Sequence, residues 1–164
     1  MNNKKTIIAA LFLVLGFALT AYVFSGTVSL KMIEFDAVKN QNVPGHYLVQ
    51  KAESKDMVAI LFYAPDKSDH IFSIYTRDNK LFNRYRFIYG GSLSAVQENV
   101  MTYKSGSNTA VLSMNSCDIA ITEPSNDQFI FEIPGLPFVH IIENNGSVTF
   151  YDINNNEIFP NNPD

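Results

Sequence analysis

Tryptophan is absent from the 164-residue chain, cysteine occurs once and histidine three times. A single cysteine excludes an internal disulfide framework and any structural zinc site built on several thiolates. Together with the missing tryptophan, it also removes the side-chain hallmarks of antibody domains. Basic residues are sparse: 12 Lys and Arg stand against 16 Asp and Glu, a formal net charge of −4. Phosphate neutralisation needs a basic face, so no nucleic-acid partner is expected. Charged residues make up 17% of the chain and hydrophobic ones 46%, the opposite of the balance that keeps a chain disordered. No glycine-rich phosphate loop occurs. Ser92, after Gly90-Gly91, lacks the Gly-x-Ser-x-Gly context of a nucleophile elbow.

Charge is also missing from one long stretch, everything between Lys5 and Lys31. Inside it, Ile7 to Phe24 is interrupted only by Gly16, Thr20 and Tyr22. About 20 helical residues span the roughly 30 Å hydrocarbon core of a bilayer. The run therefore predicts one transmembrane helix, with Lys4 and Lys5 holding the N-terminus in the cytoplasm and the rest of the chain outside. The rival is a cleavable signal peptide, cut after Val23-Phe24-Ser25, which would leave the domain secreted. A buried helix of a soluble domain fits badly, because the segment is apolar on every face. Residues 1–30 thus read as membrane anchor or signal, 31–45 as a stalk or first strand, 46–159 as an extracytoplasmic β domain, and 160–164 as a frayed tail.

Past residue 45 the chain is a series of short apolar runs punctuated by turn residues. Tyr47 to Ala52, Met57 to Tyr63, Ile71 to Thr76, Leu81 to Tyr89 and Gln128 to Ile133 each read as a strand. Two hairpins are expected. Thr109 to Met114 should pair with Asp118 to Glu123, and Phe138 to Glu143 with Ser147 to Asp152 across Asn144-Asn145-Gly146. A further turn is expected between Phe150-Tyr151 and Ile158-Phe159, since Asn tolerates the left-handed conformation. Residues 93–104 fit a short capped helix nearly as well as a strand. The expected fold class is all-β, an antiparallel sandwich or small barrel of about nine strands behind one N-terminal helix. Its core should include Val58, Ile60, Phe62, Phe72, Ile74, Phe129, Phe131, Val148 and Phe150.

Catalytic and metal-binding motifs fail one by one. His46, His70 and His140 are scattered, and only His70 has carboxylates nearby, Asp66 and Asp69, too few for a metal shell. Asp152 to Glu157 starts like a calcium loop, but Glu157 stands where glycine is required and Pro163 where a bidentate Glu is required. Cys117 neighbours Asp118, which opposes thiolate formation. Asn145-Gly146-Ser147 matches a glycosylation sequon that its turn role already explains. No cofactor, metal or catalytic residue is expected.

One constellation rises above background. Arg84 and Arg86 project from one face of a strand about 7 Å apart, with Arg77 in the preceding turn. Planar, always-charged guanidinium groups suit a carboxylate, a phosphate or an acidic partner. Gly90-Gly91 just beyond would let a partner backbone approach closely. Pairing with acids on neighbouring strands is the plainer account of the arginines. Function is therefore expected to be binding or assembly by a membrane-tethered domain with a protein or anionic ligand as partner. A small-ligand carrier with an inter-sheet cavity is the alternative, and a surface hydrolase a more distant one.

Overall fold

The computed structural model describes residues 3–79, 83–93, 100–114, 118–122, 128–132, 137–143, 147–151, 154 and 156–159. They are mostly β, and every strand pair is antiparallel. Helix α1 (Asn3–Phe24) comes first, then β1 (Val28–Ser29), a single 3-10 turn (Leu30–Met32) and helix α2 (Ile33–Gln41). Four long strands follow: β2 (Leu48–Glu53), β3 (Met57–Tyr63), β4 (His70–Asn79) and β5 (Arg84–Ser92). The remainder are β6 (Val100–Ser105), β7 (Asn108–Ser113), β8 (Asp118–Thr122), β9 (Gln128–Glu132), β10 (Phe138–Ile142), β11 (Ser147–Tyr151) and β12 (Glu157–Ile158). Among the described residues there are twelve strands, two of them only two residues long, in keeping with the expected all-β class.

They form a five-stranded sheet in the order β1-β5-β4-β3-β2, a three-stranded sheet β10-β7-β6, and a four-stranded sheet β12-β11-β8-β9. Side chains alternate across a strand, so each face of the five-stranded sheet collects its own set. On one face Val58, Ile60, Phe62, Tyr75 and Tyr85 pack with Ile33 and Ala37 of α2. On the other, Met57, Ala59, Leu61, Phe72 and Ile74 pack with Ala110 and Leu112 of β7 and with Val139 and Ile141 of β10. Strand β3 is consequently apolar on both faces. Its residues Met57 to Phe62 are all buried, as a central strand covered from above and below must be.

Six of the nine expected core residues, Val58, Ile60, Phe62, Phe72, Ile74 and Phe150, are buried to 2% exposure or less. The side chains of Phe129, Phe131 and Val148 lie outside the described residues. The expected pairing of Phe150-Tyr151 with residues 157–158 is found, with Phe150 opposite Ile158 and Tyr151 opposite Glu157. Residues 100–105 are strand, and 94–99 lie outside the described residues.

Three expectations are corrected. Leu30 to Val43 is not a strand or stalk but a 3-10 turn and a helix, because Ile33 and Ala37 fall four residues apart and share the buried side. Asn42 ends that helix in the left-handed conformation (φ 52°), and the Val43 amide bonds back to the Val38 carbonyl at 3.0 Å. Strand β7 pairs with β6 and β10, not with β8. Likewise β10 and β11, the two runs flanking Asn144-Asn145-Gly146, belong to different sheets, so neither expected hairpin forms. Both segments carry the right local signal, but the three-stranded sheet offers β7 two other partners whose apolar faces meet the core. Among the described residues no helix is long and apolar enough to cross a membrane.

Candidate functional site

The arginine face of β5 is the region to which the sequence directs attention, and its geometry is set by two irregularities. Pairing of β4 with β5 skips Ile88 on one strand and Asp78 on the other. Each skipped residue is a bulge that resets the alternation of faces. Phe87 therefore lies with Tyr75 on the α2 side, ring centroids 5.6 Å apart. Tyr89, two residues on, lies on the opposite side against Phe72 at 5.4 Å. Sequence alternation alone places Phe87 and Tyr89 on one face; the bulge at Ile88 separates them.

Arg84 and Arg86 do share a face, as expected, and both turn toward the chain's own N-terminal segment. The guanidinium of Arg84 donates to the Thr27 carbonyl, and its Nε donates to Thr27 Oγ1 at 3.3 Å. Arg86 makes a two-pronged pair with Asp78, Nε to Oδ1 at 3.2 Å and Nη2 to Oδ2 at 3.0 Å, with both side chains partly exposed. A Cβ added at Gly26 would lie 3.3 Å from Arg86 Nη1, so the two arginines bracket the junction between α1 and β1. Arg77 is not with them. It sits opposite Tyr85 on the α2 side, only 14% exposed, with Nη1 3.9 Å from Asp56 Oδ1 and its backbone amide bonded to the Asp56 carbonyl at 2.8 Å. The three arginines are thus divided between two faces.

Gly90 also has an internal role. A Cβ there would meet the Phe72 carbonyl oxygen at 2.7 Å, Gln41 Nε2 at 2.9 Å and Phe87 Cε2 at 2.9 Å. The missing side chain lets the end of α2 close onto the sheet rather than admitting a partner. Around Gly91 the space is open, with nothing within 4 Å of a Cβ.

Two features, one polar and one aromatic, were not visible in the sequence. The hydroxyl of Tyr75, buried at the sheet centre, donates to Asp36 Oδ2 of α2 at 2.7 Å. Burial, reinforced by that carboxylate, pushes the phenol pKa well above its ordinary value. At the edge of the fold, Tyr89 stacks on Tyr103 of β6, centroids 6.1 Å apart and rings within 9° of parallel. With Phe72 they make an aromatic strip bridging β5 and β6, and Tyr89 remains 38% exposed. No motif signals this strip, because its members come from three strands.

The histidines do not converge. His70 is buried, its ring Nε2 2.9 Å from the Lys67 carbonyl and its amide bonded to Asp69 Oδ1 at 2.9 Å. Asp69 Oδ2 accepts from the Tyr47 hydroxyl at 2.6 Å, which holds that phenol above its usual pKa. His46 is exposed with its ring edge-on to Tyr47. His140 lies on β10 beside Phe138, and desolvation there lowers its pKa. Among the described residues no group of three or more His, Cys, Asp or Glu could hold a metal ion. Cys117 and Asn145-Gly146 lie outside the described residues.

No known family, curated protein or solved structure matches the chain. What the geometry defines is an antiparallel β fold whose N-terminal junction is bound by Arg84, with Arg86 close beside it.

Proposed function

We propose that the chain is a membrane-tethered β domain held outside the cytoplasm, acting by binding or assembly and not by catalysis. The observation that carries this reading is the exposure of α1. Its nine large apolar side chains from Ile7 to Leu19 are each 57–78% exposed. A helix that is apolar all round needs protein or lipid around it, and contiguous apolar surface of this extent is rare on soluble monomers. With the charge-free run from residue 6 to 30, lipid is the covering the chain itself implies. The stacked five- and three-stranded sheets support a sandwich as the architecture of the tethered domain.

The experiment is fractionation of cells making the full chain. It should stay with membranes through alkaline carbonate, and protease added outside intact cells should digest the β domain. Release into the carbonate supernatant overturns the tether. A mature N-terminus at Gly26 replaces it with a secreted domain.

A further inference from the structure

The outward side of α2 has a composition that the sheet does not use. Ile33 and Ala37 point inward at 2% and 0% exposure, and Asp36 is bonded to Tyr75. Diametrically opposite stands Phe35, 65% exposed, with Met32 and Val38 three residues to either side at 48% and 36%. Lys39, four residues after Phe35 on α2, and Lys31, in the 3-10 turn just before the helix, are both exposed. Glu34, itself exposed and four residues before Val38, lies at the flank of this patch and adds to the field that raises the Lys51 pKa. The outward face is therefore a phenylalanine-centred apolar patch with an exposed lysine at each end and Glu34 at its flank. Three exposed apolar side chains around one aromatic, framed by lysine, are the composition of a helix lying in a membrane interface.

The chain path says which surface is near. Eight residues, 25–32, separate the end of α1 from the start of α2, at most roughly 30 Å even if fully extended. They are not slack. Val28 and Ser29 pair with Tyr85 and Arg84, and Arg84 binds Thr27. If α1 spans a bilayer, α2 emerges beside that bilayer on a fixed link.

We infer that α2 docks on the lipid surface in which α1 is anchored, with Phe35 inserted among the acyl chains and Lys31 and Lys39 at anionic headgroups. This inference rests on the tether proposed above. Docking would fix the orientation of the β domain, holding the α2 face of the sheet toward lipid and presenting the opposite layer, β6, β7 and β10, away from it. Lysine stems reach the headgroup level while their carbons cover apolar surface, which suits the pair flanking Phe35.

The absence of tryptophan supplies the test. Phe35→Trp and Ser107→Trp each introduce a single reporter, the second at an exposed turn between β6 and β7. Each full-length variant is reconstituted in phosphatidylethanolamine–phosphatidylglycerol vesicles, with and without bromine-labelled acyl chains. Flotation of the vesicles reports the tether independently. The expected result is that both variants float, while only Phe35→Trp shows a blue-shifted emission that brominated lipid quenches. Floating protein with a water-exposed, unquenched Phe35→Trp reporter overturns the docking and leaves the tether standing. A blue shift that brominated lipid does not quench and that grows with protein density assigns the face to a second copy, and also overturns it. Protein that does not float fails the tether itself, and the docking falls with it.

Discussion

Tyr75 and Asp36 meet hydroxyl to carboxylate at 2.7 Å, joining the middle of β4 to helix α2 across 39 positions of chain. The bond fixes where α2 lies on the sheet, since the carboxylate also accepts from Asn40 Nδ2 at 2.9 Å one turn further on. Tyr75→Phe keeps the packing and removes the bond. The expected loss is about 1.5–3 kcal/mol, the range for hydrogen bonds to charged groups.

The same pair makes stability fall in alkali. Burial, then the Asp36 carboxylate, raises the Tyr75 pKa in the folded state. Above the ordinary phenol value of about 10 the unfolded chain loses that proton while the folded chain keeps it. The native state then binds more protons, so stability decreases as pH rises. Tyr85, also raised by burial, adds a weaker contribution of the same sign. Denaturant melts between pH 9 and 11 should show a steep decline that Tyr75→Phe makes shallower. Equal slopes in both proteins would remove Tyr75 as the cause.

Gly90→Ala should be disproportionately costly. Its Cβ would sit 2.7 Å from the Phe72 carbonyl oxygen, a backbone atom that moves only if β4 shifts. Overpacking of this kind costs typically about 1–3 kcal/mol. Gly45→Ala, where nothing lies within 4 Å, is the matched control and should be close to neutral. A Gly90→Ala protein that melts like the control would show that α2 is not seated as described.

The arginines should separate by what they hold. Arg84→Ala removes two bonds to Thr27 and should loosen the α1–β1 junction, read as faster amide exchange at Val28 and Ser29. Arg86→Ala breaks an exposed pair with Asp78, worth at most about 1 kcal/mol. For the anionic-partner reading, the decisive protein is the double change Arg84→Ala with Arg86→Ala. Lost capture of a partner at unchanged melting temperature would assign the face to binding; unchanged capture would leave both arginines as supports of the junction.

Ser73 offers a stabilising change. Its hydroxyl is fully buried and, among the described residues, finds no hydrogen-bond partner. An unsatisfied buried hydroxyl costs about 1–3 kcal/mol. Ser73→Ala should therefore raise the melting temperature slightly, and a marked decrease would mean that the hydroxyl does have a partner.

What sequence alone determined is local. Met57 to Tyr63 announces a doubly covered strand because seven consecutive apolar or aromatic side chains fill both faces of the pleat, and the structure places β3 over the same span. The burial of Phe72 and Ile74 follows from a period of two, and the pairing of Phe150-Tyr151 with residues 157–158 from the two apolar runs either side of an Asn-rich stretch. Arg84 and Arg86 share a face because no bulge of β5 falls between them. Partner choice is another matter, since it depends on which apolar surface a strand can cover and not on the turn beside it. Strong turn residues at 144–146 did not make β10 and β11 neighbours, because β10 covers the five-stranded sheet alongside β7. Only the tertiary structure decided that Ile88 bulges and parts Tyr89 from Phe87. It alone decided that Gly90 receives the end of a helix, and that Arg84 reaches back 57 positions to Thr27. Each of these joins residues far apart in the chain, and a one-dimensional pattern carries no record of which distant surface will arrive.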